Sequence, residues 1–210
     1  MISKEVSEFL AEFRTRTHAV VFYNSQETKQ DVLYNHLKFG ARDQGLAYVC
    51  SDESPLQIRE EMKRFGIDVE GLGMRNRLKI ENYDKIYIVD GQVNVQSIMN
   101  AFSDLSKKYS TMGLEGMRAG AEMSCFFHEH KVKELIDYEN ALHRTLSFPA
   151  EGICGYNVAD LYTSRNLQTI MPIVRAHDPV IFAGPKESLI LEPNKVEMKD
   201  FAETMNVKLN

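Results

Sequence analysis

HAVVFYNSQETKQDVLYNHL, residues 18–37, passes from a mostly apolar run through a short polar loop into a segment with Leu33 and Leu37 one helical turn apart. That pattern predicts a strand, a loop and a helix. In many α/β proteins the same junction holds a phosphate. Glycines there let backbone N–H groups curl around the oxygens, and a Lys followed by Ser or Thr completes the site. Residues 24–31, NSQETKQD, contain no glycine, and Lys29 is followed by Gln30. The phosphate-binding chemistry is therefore missing while the strand–loop–helix frame remains. Tyr23, Asn24 and Ser25 fall at the carboxyl end of the strand, where open α/β sheets bind their ligands.

The rest of the chain repeats the strand–helix rhythm. Strands are expected at 45–51, 78–83, 85–90, 114–123 and 152–156. Between them, Ser54-Pro55 signals a helix start that runs to Gly66. Residues 66–77 read as a loop. Val95, Ile98, Met99, Phe102 and Leu105 mark a helix over 93–110. Further helices are expected over 130–146 and 157–175. Residues 179–183 and 188–193 read as an antiparallel hairpin. The expected fold is α/β and three-layered: a mostly parallel sheet with helices on both faces and a C-terminal antiparallel hairpin. Residues 1–17 form an amphipathic helix with Val6, Phe9, Leu10 and Phe13 on one face. A single domain covers 18–193, and 194–210 is a tail.

Composition narrows the function. The chain has 210 residues, 43% of them hydrophobic, and a net charge of −5. It lacks the overall basic footprint of a protein that binds nucleic acid directly. No apolar run approaches the ~18–20 residues of a membrane span. The acidic N-terminal segment is no signal peptide. Cys50, Cys125 and Cys154 are odd in number and form no Cys-x-x-Cys, which points to a reduced, cytoplasmic setting. No cofactor is called for.

Several positions carry chemistry. In LEGMRAGAEM, residues 114–123, strand alternation puts Arg118 and Glu122 on one face with Gly116 and Gly120, and Met117, Ala119, Ala121 and Met123 on the other. Glu122 is read as the polar floor of a pocket near the strand's carboxyl end. On the helix that follows, Val132, Leu135, Ile136, Leu142 and Leu146 trace an apolar stripe with Glu139 at its centre and His143 one turn on. A buried carboxylate requires a partner. The expected partner is Arg118, as a structural ion pair or as a switch altered by a ligand. Asp90 ends IYIVD in the manner of a magnesium-holding strand. In CFFHEH, Cys125, His128 and His130 supply at most part of a zinc set, so no metal site is expected there. Cys154 and Tyr156 share a face near a strand end, but no base–acid set accompanies them, and an enzyme is not expected.

Taken in order, HAVVFY, IVDG, GMRAGAEMS, YENAL, GICGYN, the isolated His177 and LEPN resemble the MEDS domain, the methanogen/methylotroph, DcmR-type sensory domain. The similarity runs from about residue 15 to 194. It implies a relative of RecA/KaiC-type ATPases without the phosphate loop, in agreement with residues 24–31. It also implies a sensor of small organic compounds such as hydrocarbon derivatives, acting through a signalling or regulatory partner protein or as a homodimer. The motif positions it assigns are His18, Tyr23, Asp90, Arg118, Glu122, Tyr138, Glu139, Cys154, Tyr156 and His177. The chain departs from the family pattern at Cys125, where an aromatic residue commonly follows Met-Ser. The expected pocket lies near Tyr23, Glu122, Cys154 and Tyr156, braced by Arg118 and Glu139. Two rivals stand beside this reading: a degenerate nucleotide-binding protein or ATPase using Asp90 and Glu122 on magnesium, and a ligand-free scaffold or oligomerisation module.

Overall fold

The computed structural model describes residues 2–13, 15–142, 146–163, 167–184 and 188–192. The elements in chain order are α1 (Lys4–Ala11), β1 (His18–Tyr23), α2 (Gln26–Gly40), β2 (Gly45–Cys50), α3 (Pro55–Arg64), α4 (Val69–Met74), β3 (Leu78–Asn82), α5 (Tyr83–Ile86) and α6 (Val95–Thr111). They continue as β4 (Met117–Glu122), α7 (Ser124–His128), α8 (Val132–Leu142), β5 (Ala150–Asn157), α9 (Val158–Thr163), α10 (Leu167–Ala176), β6 (Val180–Ala183) and β7 (Ser188–Leu191).

Among the described residues, seven strands form one sheet in the order β3-β2-β4-β5-β1-β6-β7. Every neighbouring pair is parallel except β6 and β7, which form the antiparallel hairpin. Strand alternation divides the interior into two cores. Ala19, Val21, Leu46, Tyr48 and Ile153 face α1, α2, α3 and α4. Val20, Phe22, Met117, Ala121, Cys154 and Tyr156 face α6, α7, α8, α9 and α10. The domain is therefore three-layered, with the sheet in the middle. No helix among the described residues is long and apolar enough to cross a membrane.

The helix starts follow from local chemistry. Ser54 Oγ accepts from the Gln57 N–H while the Gln57 side chain reaches back to Ser54 N, a reciprocal cap reinforced by Pro55. At α2 the Ser25 hydroxyl accepts from the Thr28 N–H at 3.2 Å. The helix end that would face a phosphate in a nucleotide-binding relative is thus capped by the chain's own side chain.

Four expected elements differ. Residues 85–90 are not a strand: Tyr87 and Ile88 are both buried in succession, Val89 is exposed, and the chain turns at Asp90-Gly91 with both residues at positive φ. An Asp-Gly pair favours that turn over continued extension. Residues 66–77 contain α4, started by Asp68, whose carboxylate accepts from the Gly71 N–H. The 114–123 strand begins only at Met117, because Gly116 sits at φ +132. The 157–175 helix is instead described as α9 and α10. The tail 194–210 and His143 lie outside the described residues.

Candidate functional site

The motif residues gather in two places, one on each face of the sheet. At the carboxyl end, on the α2 face, Glu122 closes β4. Its Oε1 accepts from Lys29 Nζ at 2.8 Å and from the Tyr48 hydroxyl at 2.7 Å. Its Oε2 accepts from the backbone N–H groups of Ser51 at 2.8 Å and Asp52 at 3.2 Å. Lys29 also donates to both oxygens of Glu53, at 3.0 and 2.9 Å. Burial alone would lower the Lys29 pKa, but the carboxylates of Glu122 and Glu53 outweigh it and hold the ammonium above its ordinary range. Burial and the Glu122 charge push the Tyr23 and Tyr48 hydroxyls up. Lys29, the one cation of residues 24–31, is therefore committed to two carboxylates. In the sequence, Gln30 after Lys29 rules out the phosphate-loop pattern and hides this role. The place of Lys29 one turn into a capped helix, aimed at a strand end, is the signal that was there.

On the opposite face, His18 opens β1, Glu139 projects from α8, Cys154 and Tyr156 belong to β5, and His177 follows α10. Here Glu139 Oε2 lies 3.4 Å from His18 Nε2 and 3.3 Å from His177 Nε2. Cys154 Sγ lies 3.4 Å from His18 Nε2 and 4.0 Å from Glu139 Oε2. The Tyr156 hydroxyl donates to Glu139 Oε1. All five side chains are buried. Burial would raise the Glu139 pKa, yet His177, His18 and the Tyr156 hydroxyl hold the carboxyl below its usual value. Burial, then the Glu139 charge, pushes the Cys154 thiol well up.

The expected pocket joining Tyr23 and Glu122 with Cys154 and Tyr156 is split by the sheet. Nor does Arg118 meet Glu139. Arg118 Nε lies 2.6 Å from Glu151 Oε2, and its Nη1 donates to the carbonyls of Leu10 and His36 at 3.0 and 3.1 Å. The helix carrying Glu139 packs on the apolar face of β4, as its own apolar stripe demands, while Arg118 points to the other face. Asp90 is exposed in a turn and closes no described strand. Cys125 is buried on α7. His128 is exposed and 3.3 Å from Asp160, and His130 is exposed at φ 55, so these three do not converge.

Beside the His18 and Cys154 side chains lies a pocket of about 30 Å³. Its wall is mainly Phe102, Met117, Leu142, Leu146 and Phe148, with Tyr138 and Tyr87 completing it. The Tyr87 hydroxyl is buried beside that of Tyr138, with no well-formed hydrogen bond among the described residues. Its pKa, and that of Tyr138, are pushed well up by burial. His18, Cys154 and Tyr138 are among the motif positions, whereas Tyr87 is not: its place in the strand-like IYIVD segment conceals it.

Comparison with known proteins matches residues 17–178 to the model of the methanogen/methylotroph, DcmR sensory domain, MEDS. Among solved structures, an uncharacterised protein of Pyrococcus horikoshii, crystallised with an unknown peptide, aligns with a TM-score of 0.66 at 17% identity over 93% of each chain. A KaiC-like protein of the hyperthermophilic archaeon Pyrococcus horikoshii OT3 aligns with a TM-score of 0.60 at 16% identity, over 86% of this chain and 80% of that one. These alignments show a shared KaiC-like, RecA-like fold. A search of curated proteins gives no match.

Proposed function

The chain belongs to the MEDS family of sensory domains, and from that premise we propose that it senses a small, largely apolar organic molecule of the hydrocarbon-derivative kind. The pocket against His18 and Cys154 carries this reading. Its walls are aliphatic and aromatic, with a few polar atoms at one edge: the His18 ring, the Cys154 thiol and the Tyr87 hydroxyl. Small-ligand sites combine these two ingredients, an apolar body for affinity and sparse polar groups for orientation. A volume of about 30 Å³ exceeds the ~10–15 Å³ that one water requires. The open space suits only a very small molecule, and anything larger enters as the apolar walls give way.

The same pocket offers a route to output. Tyr138 lines it and adjoins Glu139 on α8, so a bound molecule presses directly on that helix. A shift of α8 would be read by a regulatory partner protein or a second copy. The nucleotide reading meets an obstacle at Lys29. Nucleotide binding would have to displace Glu122 and Glu53 from Lys29, and Asp90 sits in an exposed turn rather than at the end of a strand.

The test is a thermal-shift series with one- to three-carbon alcohols and halides, run on the wild type and on Ala121→Leu, which fills the pocket. Wild type should gain stability with at least one compound, and the variant, shown folded by circular dichroism, should not. Native mass spectrometry of the purified protein gives an independent readout of any retained small molecule. No shift across the series, or equal shifts in both proteins, would sink the proposal.

A further inference from the structure

His18, Glu139, Cys154 and His177 come from four separate elements, yet one ligand atom of each lies within 4.8 Å of all the others. Each of these side chains is essentially closed to solvent. The closest measured separations, 3.3 and 3.4 Å, match the ~3.3–3.7 Å between donors in a tetrahedron with bonds of about 2.0–2.3 Å. The Cys154–Glu139 pair at 4.0 Å closes to that range with a small rotation of either side chain.

The hydrogen bonding around the cluster aims donors inward. His177 Nδ1 lies 2.7 Å from the Ile173 carbonyl, so that nitrogen carries a proton and donates it. The remaining nitrogen, Nε2, points at Glu139 Oε2 from 3.3 Å and has no well-formed hydrogen bond to any other group among the described residues. An Nε2 facing a carboxylate at that distance either carries a proton and pairs with it or, deprotonated, offers its lone pair to a cation held between the two. Glu139 is oriented in the same way: Tyr156 donates to Oε1 and leaves Oε2 facing the two histidines. Ligating histidines ordinarily give their second N–H to a carbonyl, and ligating carboxylates are held by a further hydrogen bond. Charge adds a third argument. Two neutral imidazoles, a carboxylate and a thiolate carry two negative charges, which a divalent cation cancels. The result is a neutral cluster in a place where an uncompensated charge is expensive.

We infer that His18, Glu139, Cys154 and His177 form a buried tetrahedral site for a divalent metal ion of the zinc type. The mixture of two nitrogens, one oxygen and one sulfur favours zinc or its cobalt substitute over magnesium or calcium, which take oxygen donors. His18 and Cys154 also border the apolar pocket, so the ion stands at its polar edge. The site was hidden in the sequence because its ligands are spread from residue 18 to 177, with no short-range spacing motif.

This inference does not depend on the pocket's ligand, and its test uses metal alone. The 210-residue protein is stripped with chelator, dialysed, and titrated with Co²⁺ under reducing conditions. The wild type should take up one equivalent, with the intense visible bands of tetrahedral cobalt and a near-ultraviolet thiolate charge-transfer band. Cys154→Ser, close in size, should lose the thiolate band. His177→Ala should lose tight uptake altogether, while His128→Ala, outside the cluster, should behave as wild type. Metal analysis of protein grown with added zinc provides a second measure. No uptake by folded wild type, or an unchanged spectrum in Cys154→Ser, overturns the assignment. Should His177→Ala fail to fold, the Cys154→Ser spectrum still decides.

Discussion

Lys29 Nζ lies 2.8 Å from Glu122 Oε1, and neither side chain has solvent exposure. In a nucleotide-binding relative, a lysine on the helix after the first strand would face phosphate. Here the chain supplies its own anions from β4 and from Glu53. An ion pair of this kind contributes little net stability over an apolar pair, but breaking one half leaves a charge stranded.

The first prediction follows from that asymmetry. Lys29→Met leaves Glu122 buried without its cation and should cost about 3–5 kcal/mol. Adding Glu122→Gln to it should recover part of the loss. Urea denaturation of the two single variants and the double variant gives the coupling. If the double loss equals the sum of the singles, the pair is not coupled as the distance implies.

Arg118 and Glu139 provide the converse case. Since they face opposite sides of β4 and share no partner, Arg118→Met and Glu139→Gln should add to within about 0.5 kcal/mol in a double-mutant cycle. Arg118→Met with Glu151→Gln should instead show a coupling of about 0.5–3 kcal/mol. Coupling between Arg118 and Glu139 larger than that with Glu151 would contradict the arrangement of the two faces.

These pairs mark where the sequence could and could not be read. The sheet, its hairpin and the helix starts were legible because periodicity and capping are local, as in Ser54-Pro55 and the GLAYVC strand. The two faces of β4 were also legible: Arg118 and Glu122 do share one, and Met117, Ala119 and Ala121 the other. Pairing across elements was not. Glu139 found His18 and His177, both far away in sequence, and Arg118 found Glu151 on the neighbouring strand through the register of β4 with β5. Periodicity gives a face but not which distant side chain meets it. The IYIVD segment failed for a different reason: two consecutive buried residues and an Asp-Gly turn mimic a strand in composition alone.

His36 gives a pH dependence. It is buried on α2, and burial, then the Arg118 charge, holds its pKa well below the ordinary histidine value. The unfolded chain takes up a proton near the usual ~6.5 while the folded protein does not. His36 thus stabilises the fold fully above that pH, and the contribution is lost as pH falls below it towards the depressed folded pKa. The slope approaches about 1.4 kcal/mol per pH unit. Chemical denaturation at several values from pH 7 downwards should show this slope, reduced in His36→Gln. An unchanged slope in that variant would remove His36 as its source.

The pocket makes the last prediction, because its size should set what it accepts. Leu142 is buried on α8 and forms part of the wall. Leu142→Ala removes apolar contacts and enlarges the space, at a cost of about 2–5 kcal/mol in the absence of ligand. A wider apolar cavity admits benzene-sized molecules. A ligand at 100 times its Kd returns about 2.7 kcal/mol. Benzene should therefore raise the Tm of Leu142→Ala by several degrees and leave the wild type unmoved. The smallest alcohols and halides should do the reverse, stabilising the wild type more than the variant, since a small molecule in a wide cavity forfeits contacts on one side. The measurement is the order of Tm shifts across one compound series in both proteins. If that order is the same in each, the compounds act elsewhere on the molecule and the wall at Leu142 does not select them.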